Sequence, residues 1–306
     1  MRIRFTILCL AIGLGLISGL AARAAEVLDD TPRIAVVSAF EPEWIALQED
    51  LSDRQEHTIN GRTYLTGTLA GKDVVMFLSG VSMVNAAMTT QSALDQFVIT
   101  SVVFSGIAGG VDPAFNIGDV LIAEKWGQYL EAIFARETDE GFAIPPFFGK
   151  PEFPGFGMIV PRSVGVTQKG GEGLEKRFWF PSDPDLLNAA RKVAASLDLR
   201  DCAEENKCLS TPPKIVVGGN GVSGQAFVDN AAFREYAHDT FGARLLDMES
   251  AAVAHVTYTN DVPFLAVRSL SDLAGGGEGA NEMATFMALA SVNSAAVVKA
   301  ILAEMP

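Results

Sequence analysis

The chain contains 306 residues, of which 49% are hydrophobic, and it carries a formal net charge of −14. A chain of this length forms one large domain or two small ones. Because proteins hold a phosphate backbone with clustered Lys and Arg, so acidic a chain is not expected to bind nucleic acid or an anionic membrane surface.

The N-terminal residues have the pattern of an export signal. Two arginines among the first four residues precede an almost wholly apolar run over 5–22, and an Ala-Arg-Ala cleavage pattern follows at 22–24. This pattern predicts a cleaved signal peptide over 1–24 and a periplasmic or secreted mature chain over 25–306, with no membrane contact after cleavage. The peptide carries three arginines and no acidic residue, so its removal takes the net charge from −14 to −17. The alternative is an uncleaved anchor, because the run approaches the ~18 residues that can span a bilayer.

Seven short runs rich in Val, Ile and Leu lack polar alternation, which predicts strands that are buried on both faces. They are Arg33–Ala39, Asp73–Leu78, Thr100–Ser105, Asp119–Ala123, Lys214–Val217, Arg244–Asp247 and Pro263–Arg268. Helical patterns lie between them, at Glu41–Leu51, Val84–Gln96, Pro184–Leu197, Ala231–Phe241, Glu249–Tyr258 and Met283–Glu304. Strand and helix alternate, so we expect a single three-layer α/β/α domain around a mixed, mostly parallel central sheet.

Residues 136–181 interrupt this alternation. The segment is dense in Pro, Gly and aromatic residues, with PPFFGKPEFPGFG at 145–157 and KGGEGLEKRFWFP at 169–181. Long loops inside compact domains are commonly lids or other functional segments. Two interpretations stay open: an insertion that covers a binding site, or a plain excursion on the surface.

The mature chain has two cysteines, Cys202 and Cys208, since Cys9 leaves with the signal peptide. In an exported protein an isolated even pair predicts a disulfide, here within a polar connector between a helix and a strand. None of the three histidines lies near the pair in sequence, so a metal site is not expected. The disulfide would hold a surface loop and take no part in catalysis.

Polar residues with catalytic potential follow four of the predicted strands. Glu43 follows the first strand, Ser105–Gly110 is a glycine-rich loop after the third, and Glu249 and Asp272 follow the last two. Each signal alone is explained by helix capping, which favours such residues where a strand leads into a helix. Because the carboxyl ends of the strands meet at one edge of an open α/β sheet, these groups together predict a pocket with three carboxylates and one arginine, Arg268.

The segment Gly219–Gly224 has the glycine spacing of a dinucleotide-binding site and follows a strand. In such sites, however, the glycines occupy the first strand-to-helix turn and open directly into a helix. Here they come late in the chain and lead into Gln225–Asp229 before the next helix. Nicotinamide binding is therefore not expected, and the sequence predicts no cofactor.

Five blocks of sequence carry a resemblance to a known family: SAFEPEW (38–44), SGIAGGV (105–111), VSGQAFV (222–228), LLDMESAAVAHV (245–256) and VPFLAVRSLSD (262–272). With them the chain resembles the nucleoside phosphorylase superfamily and, within it, the methylthioadenosine/S-adenosylhomocysteine nucleosidases. The resemblance runs from Arg33 to the C-terminus, apart from 136–181 and the cysteine connector. It implies hydrolysis of the N-glycosidic bond of adenine-type nucleosides, a small-molecule nucleoside as the substrate, and a homodimer.

The resemblance also implies a role for each polar group of the predicted pocket. Asp272 matches the acid that protonates N7 of the departing purine, and Glu43 matches the base that deprotonates the attacking water. Glu249 matches the carboxylate that holds the ribose hydroxyls, and Arg268 matches an arginine near that water. Phe227 corresponds to the residue that stacks on the base. The full set of expected substrate contacts is Met248, Phe227, Val228, Ser271, Ala108, Gly109, Val81 and Met283.

Charge favours water over phosphate as the nucleophile. Phosphorylases that resemble this chain carry an arginine just before the glycine loop, where this sequence has Phe104, and Arg268 alone is a thin phosphate site. We therefore expect a hydrolase, with a phosphate-dependent purine nucleoside phosphorylase as the alternative. A non-catalytic exported storage relative and a periplasmic nucleoside-binding protein are further alternatives. The storage relative would be expected to lose the acidic trio, which is retained here.

Four sites depart from the nucleosidase pattern. Ser82-Met83 stands where the family has Gly-Lys, Ile107 replaces a serine, Asp247 replaces a glutamate and Gln225 replaces an acid. These changes leave the acid, the base and the ribose clamp in place. The base and the 5′ substituent of the substrate therefore stay open at this point.

Overall fold

A twelve-stranded mixed β-sheet with helices on both faces forms the centre of the protein. The computed structural model describes residues 27–203, 207–277 and 279–305, so the predicted signal peptide over 1–24 lies outside the described residues. The strands of the central sheet are β1 (Asp29–Ser38), β2 (Ser52–Ile59), β3 (Arg62–Leu69), β4 (Lys72–Leu78), β5 (Phe97–Gly110), β6 (Val120–Ile122), β7 (Lys125–Gln128), β14 (Trp179–Pro181), β15 (Ile215–Val217), β16 (Asn220–Ser223), β17 (Ala243–Asp247) and β18 (Phe264–Asp272).

All six predicted helices are present: α1 (Glu41–Gln48), α2 (Met83–Gln96), α3 (Pro184–Ala194), α4 (Ala231–Phe241), α5 (Ser250–Asn260) and α6 (Met283–Glu304). The bounds of α4 and α6 match the prediction. Helix α1 ends earlier than predicted, because the chain turns after Gln48 and enters β2 at Ser52. Helix α5 begins one residue later, because Glu249 has a non-helical φ of −137° and serves as the N-cap.

The seven predicted strands are present, and the alternation of strands and helices confirms the α/β/α prediction. Within the central sheet, six strand pairs of the described residues are parallel and five are antiparallel. The sheet is therefore more mixed than the apolar runs indicated. Much of the difference is the antiparallel meander β2–β3–β4, whose edge strand β2 is mostly exposed and polar.

The central strands divide the core into two layers. On β1, Ala35 and Val37 face the layer that contains α2 and α5, whereas Ile34 and Val36 face the layer that contains α1, α3 and α6. Because side chains of both faces are covered, the middle of such a strand is apolar at successive positions, as in Ile34–Val37.

Helix α6 belongs to the second layer. It is apolar and long enough to cross a membrane by length and composition alone, and it is the one described helix that meets this test. Its buried side chains, including Val298, Ile301 and Leu302, pack within the core against β18 and β5. The length and apolar character of α6 are those of a core helix.

A crevice forms at the carboxyl end of the sheet because β5 changes its neighbour. It pairs in parallel with β1 as far as Phe104 and then in antiparallel fashion with β17 through Gly109 and Gly110. Strand β18 pairs in parallel with β5 from Val102 to Gly109, on both sides of this change. Such a switch point is where open α/β sheets bind their ligands.

The segment 136–181 and the strand just before it form three two-stranded sheets: β8 (Ala132–Phe134) pairs with β11 (Ile159–Pro161), β9 (Arg136–Thr138) with β10 (Gly141–Ala143), and β12 (Val164–Val166) with β13 (Glu175–Arg177). The last residues of the segment form β14 of the central sheet. Its aromatic side chains pack on α4, with Phe153 against Phe241 and Phe156 against Phe233. No described residue of 136–181 lines the cavity at the carboxyl end of the sheet. In this arrangement the aromatic side chains of the segment cover α4 and not the cavity.

The predicted disulfide between Cys202 and Cys208 is present, with a Cα–Cα distance of 3.9 Å. It closes a connector between α3 and β15, and residues 204–206 within the loop lie outside the described residues. Neither cysteine lines the cavity described below.

Candidate active site

A cavity of about 200 Å³ opens at the switch point, where β1, β5, β17 and β18 end. It is lined by Ala39, Phe40, Glu43, Val81, Ile107, Ala108, Gly109, Ala226, Phe227, Val228, Leu246, Asp247, Met248, Glu249, Ser271, Asp272 and Met283. Every residue predicted to be catalytic or substrate-binding lies in this lining except Arg268. Phe40 and Leu246 were not predicted, because an apolar residue beside a motif has no sequence signal that separates a pocket wall from the core.

Glu43 is held at one side of the cavity by backbone amides and is 1% exposed. Its Oε2 accepts hydrogen bonds from the amides of Ala39 (2.7 Å) and Phe40 (3.4 Å), and its Oε1 accepts one from Ile107 (2.9 Å). Burial raises the pKa of Glu43 to about 7, although Arg268 and the three amides act in the opposite direction. A carboxyl group with such a pKa takes up a proton near neutral pH, as a general base requires.

Glu249 also lines the cavity, at the N-terminus of α5. Its Oε1 accepts a hydrogen bond of 2.7 Å from the backbone amide of Ser82, in the loop before α2. Burial raises the pKa of Glu249 to about 7, with Arg268 and the Ser82 amide lowering it and Asp247 raising it. The cavity therefore has two carboxyl groups that are poised between their charged and neutral forms.

Arg268 lies behind the cavity wall and is fully buried. Its Nε is 2.9 Å from Oδ2 of Asp247 and donates to Oγ of Ser250 at 3.0 Å. The guanidinium stacks over the ring of Phe104 at 4.1 Å, and a Cβ at Gly106 would stand 1.9 Å from Nη1. Gly106 is thus required where the guanidinium approaches the backbone, and the segment 105–110, which was predicted to be a loop, forms the end of β5 instead.

Asp247 forms an ion pair with this arginine and is held in place by hydrogen bonds from β16 and from the N-terminus of α5. Its Oδ1 accepts hydrogen bonds from Oγ of Ser223 (2.5 Å) and from the amides of Glu249 (3.2 Å) and Ser250 (3.1 Å). Glu249 is the second acid near the guanidinium, with 3.8 Å between Nη2 and Oε2. Because the carboxylate of Asp247 lies beside Nε, it neutralises most of the positive charge of Arg268 behind the cavity wall.

Asp272 is the last residue of β18, lines the cavity and is 4% exposed. Its Oδ2 accepts a hydrogen bond from Oγ of Ser271 (2.9 Å), and its Oδ1 accepts from the amide of Ala274 (2.8 Å) and from Nδ2 of Asn281 (3.4 Å). Burial raises the pKa of Asp272, and these three hydrogen bonds oppose the rise. Both carboxylate oxygens are held in fixed directions, which suits transfer of a proton to a ligand in the cavity.

The remaining walls are apolar. Phe227 is 55% exposed and Val81 is 47% exposed, so both present carbon surface at the mouth of the cavity. Met248 and Met283 lie in the same lining. Within the part of the chain that the structure describes, no group of three His, Cys, Asp or Glu side chains is arranged to hold a metal ion. An apolar cavity with a few convergent acids suits a small, largely apolar ligand with polar groups at defined positions.

A family model described as the Phosphorylase superfamily matches residues 33–303. The chain belongs to this superfamily. The resemblance seen in the five sequence blocks is therefore confirmed, and so is the fold that it implied.

Individual relatives and a solved structure are similar to the chain over most of its length. The 5′-methylthioadenosine/S-adenosylhomocysteine nucleosidase of Halalkalibacterium halodurans is 29% identical over 277 residues, which cover 89% of this chain and 99% of that relative. Bark storage protein B of Populus deltoides is 28% identical over 230 residues, which cover 71% of this chain and 70% of that relative. The structure of the nucleosidase from Neisseria meningitidis in complex with methylthio-immucillin-A has a TM-score of 0.68 at 25% identity and covers 90% of this chain and 100% of that chain.

Proposed function

We propose that the protein is a purine nucleosidase that hydrolyses the N-glycosidic bond of adenine-type nucleosides such as methylthioadenosine or S-adenosylhomocysteine. The observation that carries the proposal is the placement of three buried carboxyl groups, Glu43, Glu249 and Asp272, around one cavity. The 5′-methylthioadenosine/S-adenosylhomocysteine nucleosidases are similar to the chain over most of its length. Bond cleavage builds positive charge on the ribose and negative charge on the departing base, and carboxyl groups on opposite sides of the bond serve both needs.

Glu43 is the proposed general base. A water molecule between Glu43 and the anomeric carbon C1′ gives one proton to the carboxylate while its oxygen forms a bond to C1′. The amides of Ala39, Phe40 and Ile107 hold the carboxylate still, so little reorganisation is needed as the proton moves. General base catalysis of this type is worth roughly 10²- to 10⁴-fold in rate.

Asp272 is the proposed general acid. As the bond from C1′ to the base nitrogen breaks, its electron pair stays with the purine, and the Asp272 proton passes to N7. Burial favours the protonated form that this step needs, and Ser271 and Asn281 orient the group. The products are a free purine and a free sugar that carries the hydroxyl of the attacking water.

Glu249 is the proposed ribose clamp. Its carboxylate accepts hydrogen bonds from sugar hydroxyls and stabilises the positive charge that develops on the ring. Met248 supports the sugar from below, and Phe227 stacks on the purine face. The apolar mouth around Val81 and Met283 suits an alkylthio group at the 5′ position.

Water is the proposed nucleophile because the described residues that line the cavity include no cationic group that could hold a phosphate dianion. No Lys or Arg side chain occurs in the cavity lining of the described residues. The nearest guanidinium, Arg268, is paired with Asp247 and covered by Phe104. A dianion needs several converging cations, and a guanidinium already neutralised by a carboxylate supplies little.

The test is incubation with a panel of purine and pyrimidine nucleosides in phosphate-free buffer, with the released base followed by chromatography. We expect adenine release from 5′-alkylthio adenosines at a rate that added phosphate does not change. A Glu43→Gln variant should release no base above background, and Glu41→Gln, which alters an exposed neighbour on the same helix, should match the wild type. Tight binding of the panel without turnover would favour a binding or storage protein instead.

We also propose that the protein is exported, with residues 1–24 removed, and that it forms a homodimer. The disulfide supports export, because such bonds persist in oxidising compartments. Dimer formation is supported by the family and by apolar side chains on α2, where Val84 is 68% exposed and Met88 is 52% exposed. N-terminal sequencing of periplasmic material tests the cleavage site. Sedimentation of wild type and of Val84→Asp tests the dimer, which this variant should dissociate.

A further inference from the structure

The loop between β4 and α2, residues 79–82, has a backbone conformation that only glycine adopts readily. Gly80 has a φ of 77°, and Ser82 has a φ of 78° with a ψ of 161°. A side chain at Ser82 makes this conformation strained, because the Cβ contacts the flanking peptide groups. Strain of this kind persists where the surroundings hold it, and it concentrates at functional sites.

The strained conformation serves Glu249. It directs the amide of Ser82 at Oε1 of Glu249, at 2.7 Å. Ser82 is also the N-cap of α2, so the positive end of a 14-residue helix faces the same carboxylate. Apart from Arg268, the Ser82 amide is the one described group that lowers the pKa of Glu249.

Side chains outside the cavity bind this loop, among them Thr89, whose Oγ1 donates to the carbonyl of Ser79 at 3.0 Å. Arg62, the first residue of β3, donates from Nη1 to the carbonyl of Ser79 at 3.3 Å and from Nη2 to Oδ1 of Asn85 at 3.2 Å. Asn85, in the first turn of α2, donates in turn to the carbonyl of Val81 at 2.8 Å. The guanidinium and the amide thus bind the loop at two carbonyls, on either side of Gly80.

We propose that Arg62 and Asn85 are positioning residues for Glu249: they hold the 79–82 loop so that the Ser82 amide stays directed at the carboxylate. The proposal rests on the proposed function, in which Glu249 acts as the carboxylate that grips the ribose. Neither residue lines the cavity, so neither touches a nucleoside there. Their effect passes through the loop and the Ser82 hydrogen bond alone.

The consequence is a shift in pH dependence. Arg268, Asp247 and Glu43 are the charged groups that face Glu249 from β18, β17 and α1. We expect all three to stay in place when the loop moves. Loss of the Ser82 hydrogen bond raises the pKa of Glu249, because it removes a contact that favours the charged form. The carboxylate is then formed only at higher pH, and the acidic limb of kcat/KM moves upward.

The experiment compares Arg62→Ala and Asn85→Ala with Arg54→Ala, a matched control at an exposed arginine on the neighbouring strand β2. We expect both loop variants to move the acidic limb upward by about one pH unit, which lowers kcat/KM about tenfold on that limb. KM should rise, since the grip on the ribose exists before the chemical step. Ser82→Gly in the Arg62→Ala background should restore much of the loss, because glycine adopts the loop conformation without strain.

Crystal structures of the loop variants give a readout that does not depend on activity. We expect the distance from the Ser82 nitrogen to Oε1 of Glu249 to exceed 3.5 Å in Arg62→Ala. An unchanged distance, or a lower melting temperature with an unchanged pH profile and KM, would show that Arg62 is merely structural and would overturn the inference. Failure of the wild type to release purine would instead count against the proposed function, and the crystallographic comparison would still decide the role of the loop.

Discussion

The substitution Glu43→Gln is expected to abolish purine release and to stabilise the protein at alkaline pH. Glutamine has the shape of the protonated acid, so it can still accept a hydrogen bond from the amide of Ala39 or of Ile107. It carries no charge at any pH. At alkaline pH the wild type loses free energy of unfolding because buried Glu43 ionises. The variant should avoid this loss, so its gain in stability over the wild type should equal it.

The magnitude follows from the pKa. Burial raises the pKa of Glu43 from its usual 4.5 to about 7, so the folded protein keeps this proton over a range in which the unfolded chain releases it. The corresponding stability is present below pH 4.5 and is lost as the pH rises through 7. At 1.36 kcal/mol per pKa unit, the full loss is about 3 kcal/mol. Most of it falls between pH 5 and pH 8.5, which predicts a difference of roughly 2–3 kcal/mol between these two conditions.

Urea unfolding of the wild type and of Glu43→Gln at pH 5 and pH 8.5 measures this difference. The variant should gain stability over the wild type by about 2–3 kcal/mol more at pH 8.5 than at pH 5. Glu41→Gln, an exposed position on the same helix, should show no such pH dependence. Equal effects of Glu43→Gln at the two pH values would refute the reasoning, because they would show that Glu43 is not held with a raised pKa.

Three further predictions concern the leaving group, the sugar and the disulfide. Asp272→Asn should lower kcat by roughly 10²- to 10⁴-fold with a much smaller change in KM. Asp261→Asn, the same change at an exposed position, should leave both constants unchanged. Retention of more than about a tenth of the wild-type kcat in Asp272→Asn would exclude Asp272 as the main acid. Glu249→Gln should impair both kcat and KM in steady-state assays, because the ribose grip exists in the ground state, and a change in kcat alone would contradict this role. Replacing Cys202 and Cys208 with serine should lower the free energy of unfolding by roughly 2 kcal/mol and leave kcat unchanged; two freely alkylated thiols in unreduced wild type, seen by intact mass, would contradict the disulfide.

Much of the candidate site could be predicted from the sequence, because its groups sit where apolar runs end. Glu43 lies in the first turn of the helix after β1, Glu249 lies two residues after β17, and Asp272 is the last residue of β18. Strands of one sheet bring their carboxyl ends together. The helices α4 and α6 could be delimited because Asn230 and Gly242 flank the first and a long apolar pattern defines the second.

The features that could not be predicted depend on tertiary pairing. Arg268 is drawn behind the wall by Asp247, and these residues lie on strands that meet only through β5. The contact of Arg62 with the 79–82 loop arises because β3 and β4 are antiparallel, and β3 lacked a clear apolar pattern in the sequence. The packing of 136–181 could not be predicted either. Its composition indicates a break in the alternation of strands and helices, but it does not show that the aromatic side chains lie on α4.

The central claim is that water, rather than phosphate, receives the ribosyl group in this cavity. The most direct test is mass spectrometry of the sugar product from methylthioadenosine, with the purified mature protein, in the absence and in the presence of saturating phosphate. We expect free adenine and free methylthioribose in both conditions, at the same rate. Methylthioribose 1-phosphate as the main product, formed only when phosphate is present, would contradict it.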